Sequence, residues 1–191
     1  MKRKITSVML VGACFFGGAR AAPAKEKPIL ERIEARVSPS SVSTGSSLDV
    51  TIEIYEYSSD QELQDLAQIF VRRGKEGLES ALGKIRKGYL TIPGPGRMPV
   101  ELVDSRSVGG IRRVTIVAER GQRDLTTRSM QVDVLVQEYP FTCVQLEFDE
   151  QGNGKGEIVQ YAKLGFNSAG KMTINRYNTR PAELINVHSW R

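Results

Sequence analysis

LEFDEQGNGKGEIVQ, residues 146–160, sets Asp149, Asn153 and Glu157 around a run of glycines. As a calcium loop it would offer Asp149, Gln151, Asn153 and Gly154 at the first, third, fifth and sixth positions, but Gln160 stands where a bidentate Glu belongs. A helix should also precede such a loop, whereas TCVQLEF alternates like a strand. As a phosphate cradle, GNGKGE lacks a Ser or Thr after its lysine, and no helix starts there to present its N-terminus. The pattern Leu146-x-Phe148-Asp149-x-x-Gly152 returns as Leu164-x-Phe166-Asn167-x-x-Gly170, without the acids a metal would need but with the turn residues kept. Both copies therefore read as hairpin turns, each with an Asx side chain and a glycine able to take positive φ.

Working outward, period-two segments surround these turns. LDVTIEIYEY (48–57) sets Val50, Ile52 and Ile54 on one face, and RRVTIVAER (112–120) does the same with Val114, Ile116 and Ala118. GYLTI, PVELVDS, SMQVDVLVQE, TCVQLEFD, GEIVQYAK, GKMTINRY and AELINVHSW complete a series of roughly nine short strands joined mainly in sequence. The period changes once. Ser59-Asp60-Gln61-Glu62 reads as a capping box before Leu63, Leu66, Ala67 and Phe70, with Gly74 as a C-terminal stop. A second helix is expected through Leu78, Ala81, Leu82 and Ile85 to Gly88, its last turn carrying Lys84, Arg86 and Lys87. The expected fold is α+β: a curled antiparallel meander of about eight or nine strands, able to close into a barrel, with a helical hairpin inserted after the first strand. The hairpin's stripe of Leu63, Leu66, Phe70, Leu78, Leu82 and Ile85 would cover the open face or plug one end.

Three segments divide the chain. Residues 1–24 open with Lys2, Arg3 and Lys4, continue with an apolar run from Ile5 to Phe16 and end at Ala22-Pro23-Ala24, the order of a secretory signal peptide. Val11-Gly12-Ala13-Cys14 resembles a lipobox, and a lipidated Cys14 would instead tether the protein to a membrane, although Phe15 and Phe16 continue the apolar run past it. Residues 25–46 read as a polar linker or edge segment, and 47–191 as one domain. Four of the 27 basic residues and none of the 22 acidic ones lie in 1–24, so the remainder is near neutral at +1. Such a balance gives no reason to expect nucleic acid. With the leader removed, Cys143 stands alone and no internal disulfide can form, so the fold rests on its hydrophobic core.

The search for chemistry yields little. His188 is the single histidine and reads as a solvent-facing strand residue; Cys143 reads as a small, partly buried apolar group. Glu53, Asp133 and Glu147 sit opposite apolar stripes, where a solvated charge is the ordinary role. Arg112, Arg113, Arg120, Arg123 and Arg128 form the densest like-charge group and are candidates for an anionic ligand, with surface ion pairing as the alternative. No nucleophile elbow, metal-ligand pair or dinucleotide fingerprint occurs, so no cofactor is expected.

YEYSSDQELQDLAQIF, KGYLTIPG, RRVTIVAER with TRSMQVDV, and GKMTINRYNTRPAELINV together resemble a group of exported bacterial proteins, of the kind found in acidobacteria, that has no assigned activity. The likeness spans roughly Val50 to Trp190 and implies export and one folded unit, and nothing chemical. The leading expectation is a non-enzymatic periplasmic or secreted protein that binds a small apolar ligand in a cavity between sheet and helix. A module that binds an envelope protein through a sheet edge comes second, and a carboxylate-based hydrolase third.

Overall fold

The computed structural model describes residues 27–42, 45–119, 138–167, 170–177 and 180–191. The expected leader, the strand SMQVDVLVQE but for its last residue Glu138, and Arg120, Arg123, Arg128 and Asp133 therefore lie outside the described residues.

The described chain runs β1 (Glu31–Val37), β2 (Leu48–Ile54), α1 (Asp60–Leu82), β3 (Gly88–Ile92), β4 (Gly96–Val108), β5 (Ile111–Glu119), β6 (Phe141–Phe148), β7 (Asn153–Phe166), β8 (Met172–Arg176) and β9 (Ala182–Trp190). All ladders are antiparallel. Strands β1 to β7 and β9 form a ring, since β9 pairs with both β7 and β1 while β6 pairs with β7. The meander thus closes as an eight-stranded barrel, and β8 is an extra strand on the second half of β7. The length of β7 permits this: its first half meets β9 from Asn153 to Ile158, and its end meets β8 from Ala162 to Phe166.

The two turns are built alike. Asp149 Oδ1 accepts from the Gln151 and Asn153 amides at 3.0 and 2.9 Å, and Gly152 sits at φ 79°. Asn167 Oδ1 accepts from the Lys171 amide at 2.9 Å, and Gly170 sits at φ 70°. Positive φ is inexpensive only for glycine, which is why both copies keep it.

Residues 31–37, expected as linker or edge, instead form β1, paired along its length with β2 and on its other side with β9. Its alternation was masked by charge. Ile33, Ala35 and Val37 point inward, while outward Arg32 bonds Glu53 and Arg36 bonds Asp49 across the ladder, each at 2.9 Å. A β-bulge interrupts both ladders of β9 near Asn186, the one non-glycine residue at positive φ among those described (51°). Asn tolerates that region better than most residues.

The expected hairpin is a single helical element with a break at Gly74, whose φ of 64° and ψ of −160° no helix accommodates. Ser59 caps it as read, accepting from the Glu62 amide at 3.1 Å. Glu62 does not bond back to the cap; its carboxylate lies 2.8 Å from Lys87 Nζ. The helix ends at Leu82, so Lys84, Arg86 and Lys87 fall beyond its last turn, and Gly88 opens β3. Helix and sheet are held by two separate cores. One fills the barrel with Ile33, Ile52, Leu90, Val103, Ile116, Val144, Leu146, Leu184 and their neighbours. The other lies outside the barrel, where Leu63, Leu66, Leu78 and Leu82 of α1 pack on Leu102, Val117, Phe141, Cys143, Val159 and Leu164. The helix therefore neither covers an open face nor plugs an end. Eight strands enclose a width that side chains can fill, and here they do.

Candidate functional site

The end of the barrel where β1 and β5 begin and β9 finishes is closed by a polar cluster. Glu31 shares the inward face of β1, and its side chain has no exposure. Arg112 has the same parity on β5 as Val114, Ile116 and Ala118, so it too points inward. It grips Glu31 in bidentate fashion, Nη1 to Oε2 at 3.1 Å and Nη2 to Oε1 at 2.5 Å, with its guanidinium 4.3 Å from the Phe148 ring centre. The Tyr57 and Ser189 hydroxyls also donate to Glu31. Burial alone would raise the Glu31 pKa, but the hydrogen bonds from Arg112, Ser189 and Tyr57 outweigh it and hold the carboxyl below its ordinary value. This is a satisfied structural plug. Arg112 is thereby removed from the anionic-ligand candidates. Arg113, its neighbour, faces outward and bonds Glu147 at 3.0 Å.

The acids proposed for hydrolysis are similarly engaged. Glu53 meets Arg32 at 2.9 Å and Arg97 at 3.3 Å, and Glu147 meets Arg113 at 3.0 Å and Lys155 at 3.7 Å. They lie on different strands and form no pair. Cys143 is fully buried between sheet and helix, and desolvation, with Glu101 adding to it, pushes its thiol pKa far up. That is the state of an inert thiol. His188 is exposed beside Trp190, ring centres 6.0 Å apart.

Two concavities lie between α1 and the barrel wall. The larger, about 1260 Å³, runs between the first half of α1 and the outer wall of β4, β5 and β6, reaching the β7–β8 hairpin. Leu63, Ala67, Val71, Phe166, Met172 and Ile174 give it an apolar lining, and Val71 is 82% exposed there. Its charged lining is unevenly paired. Arg106 bonds Asp104 at 3.0 Å and Asp60 at 3.1 Å, whereas Arg72 and Lys171 have no ion-pair partner among the described residues.

The smaller, about 250 Å³, lies under the second half of α1 and is lined by Glu79, Glu101, Glu119, Arg86, Phe141 and two prolines. Glu101 is the odd residue of a β-bulge, since Val100 pairs with Ala118 and Leu102 with Val117. The bulge turns its side chain to the outer face, where it is only 6% exposed. Burial, with the Glu119 and Glu79 carboxylates adding to it, pushes the Glu101 carboxyl up to about 7. The sequence reading did not single out Glu101. The signal available was the broken alternation of Val100, Leu102 and Val103, which marks a bulge.

No helix among the described residues is long and apolar enough to cross a membrane. No family model matches the chain, and no curated protein or solved structure does.

Proposed function

We propose that the protein is an exported, non-enzymatic binding protein that holds a small amphipathic ligand, an apolar chain with an anionic head, in the groove between α1 and the barrel wall. The supporting observation is the groove itself: at about 1260 Å³ it is comparable with or larger than the ~300–1,000 Å³ of ordinary ligand sites. Its apolar lining suits a hydrocarbon chain, and Arg72 and Lys171, without an ion-pair partner among the described residues, offer cations for a carboxylate or phosphate head. The barrel interior, packed with side chains, is the less suitable place. Export rests on the order of residues in the leader. A second reading, a partner strand added to a sheet edge, draws on β8, which pairs on one side only among the described residues.

The test is displacement of a fluorescent fatty-acid probe from the full chain by laurate and by dodecanol. Gln68→Trp, an exposed groove position, should weaken both ligands. Arg72→Glu with Lys171→Glu should weaken laurate by about fivefold and spare dodecanol, the size expected for exposed charge contacts. Absence of saturable binding, or binding that neither variant alters, would refute the reading.

A further inference from the structure

We infer that the cleft formed by Glu79, Glu101 and Glu119 is a second binding site, one that takes a small organic cation such as an alkylammonium group. Three elements converge to build it: α1 supplies Glu79, the β4 bulge Glu101 and the end of β5 Glu119. A group of acids is ordinarily just a solvated surface, but Glu101 is 94% removed from solvent by its 6% exposure and lines the cleft. Its Oε2 has no hydrogen-bond partner among the described residues, whereas Glu79 Oε1 has Lys75 Nζ 3.5 Å away. A buried carboxylate oxygen left without a donor is costly, and an incoming N–H donor carrying positive charge supplies what the Glu101 Oε2 lacks.

The shape of the site selects the kind of cation. No group of three His, Cys, Asp or Glu side chains among the described residues could hold a metal ion, so the acids do not form a metal cage. They are spread around a space of about 250 Å³ with Phe141, Pro99 and Pro140 as its apolar wall, which suits a short alkyl chain between ammonium groups. The one cation in the lining, Arg86, is occupied elsewhere: its Nη1 donates to the Tyr89 hydroxyl at 3.1 Å and its guanidinium lies 5.6 Å from that ring's centre.

Binding through an ionised Glu101 must compete with its proton. The titratable and charged groups around it are Glu79 and the nearby Lys75 on α1, Arg86 after the helix, Glu119 on β5 and Cys143 on β6. The Cys143 thiol stays neutral, and Glu101, its carboxyl pushed up to about 7, changes charge near neutrality.

The experiment is calorimetric titration of the full chain with 1,4-diaminobutane, whose ammonium groups stay charged from pH 6 to pH 8. With Glu101 titrating at about 7, roughly one-tenth of it is ionised at pH 6 and nine-tenths at pH 8. The amine should therefore bind about tenfold more tightly at pH 8, releasing a proton at the lower pH. Glu101→Gln should abolish the pH dependence and most of the affinity. Glu119→Gln, at an exposed position, should weaken binding several-fold. Equal affinity at both pH values, no detectable binding at pH 8, or unchanged affinity in Glu119→Gln would overturn the inference. Calcium competing with the amine for the same cleft would replace the organic cation by a metal ion and overturn it as well.

Discussion

Replacing Arg112 by methionine keeps an unbranched chain over Phe148 but removes both guanidinium bonds to Glu31. The carboxylate left behind has no side-chain exposure. Tyr57 and Ser189 still donate to it, but the remaining cation, Arg191, lies 3.7 Å away and is itself 55% exposed. Removing one partner of a buried pair costs about 3–5 kcal/mol, because the survivor's charge has lost its compensation. That is a large share of the roughly 5–15 kcal/mol that holds an ordinary domain together. Urea unfolding followed by circular dichroism at pH 7.5 gives the value directly, provided the slope with denaturant is unchanged. The double variant Glu31→Gln/Arg112→Met should recover at least about 2 kcal/mol of the loss, since it removes the stranded charge. The sign with pH follows. Glu31 has a folded pKa below its ordinary value, so its stabilising effect is complete above that ordinary value and is lost as pH falls through the folded one. The penalty of Arg112→Met should accordingly shrink in acid. A penalty below about 1 kcal/mol at pH 7.5, or one equally large in the Glu31→Gln background, would refute the description of this cluster as a charge-paired plug.

Glu101 predicts the opposite dependence. Its pKa rises from 4.5 to about 7 on folding, so the folded state keeps a proton that the unfolded chain releases, and stability falls as pH rises through that window. The term amounts to about 3 kcal/mol, and Glu101→Gln should gain on the parent by that order between pH 4.5 and pH 8 in paired urea titrations. Leu78→Ala, at a side chain 1% exposed in the outer core, should cost about 2–5 kcal/mol by the same assay. Gly74→Ala should be destabilising by about 1–3 kcal/mol rather than helix-stabilising, because the broken conformation at φ 64°, ψ −160° excludes a side chain. Ser59→Ala should cost about 1 kcal/mol through loss of the cap, read by thermal unfolding.

The parts of this architecture that could be read from sequence are those where local chemistry decides. Alternation marked β2, β5, β6 and β9, and the paired Asx–glycine turns fixed both hairpins of β7. Closure was open to expectation but not derivable, because it depends on β9 pairing with both β7 and β1, and register is not carried by one strand alone. β1 was hidden because its outward face is fully charged and one of its inward residues is Glu31. Whether a buried glutamate is tolerable depends on an arginine 81 positions away. Arg112 carried a usable signal, since it shares its parity with Val114 and Ile116, yet it was grouped with the adjacent Arg113 by charge instead of by face. The helix break at Gly74 was placed correctly as a stop, and the segments on both sides of it pack on the same outer core. The acidic cleft was invisible for the same reason as closure: Glu79, Glu101 and Glu119 meet only once α1 lies on the barrel.

Where the ligand sits is the point on which the account turns. Methyl-resolved NMR of the full chain, titrated with laurate, distinguishes the groove from the barrel interior in one experiment. The account predicts shifts at Leu63, Ala67, Met172 and Ile174, with Ile33, Ile52, Leu90 and Ile116 unmoved. Shifts concentrated on the interior methyls, or no saturable shifts at all, would contradict it.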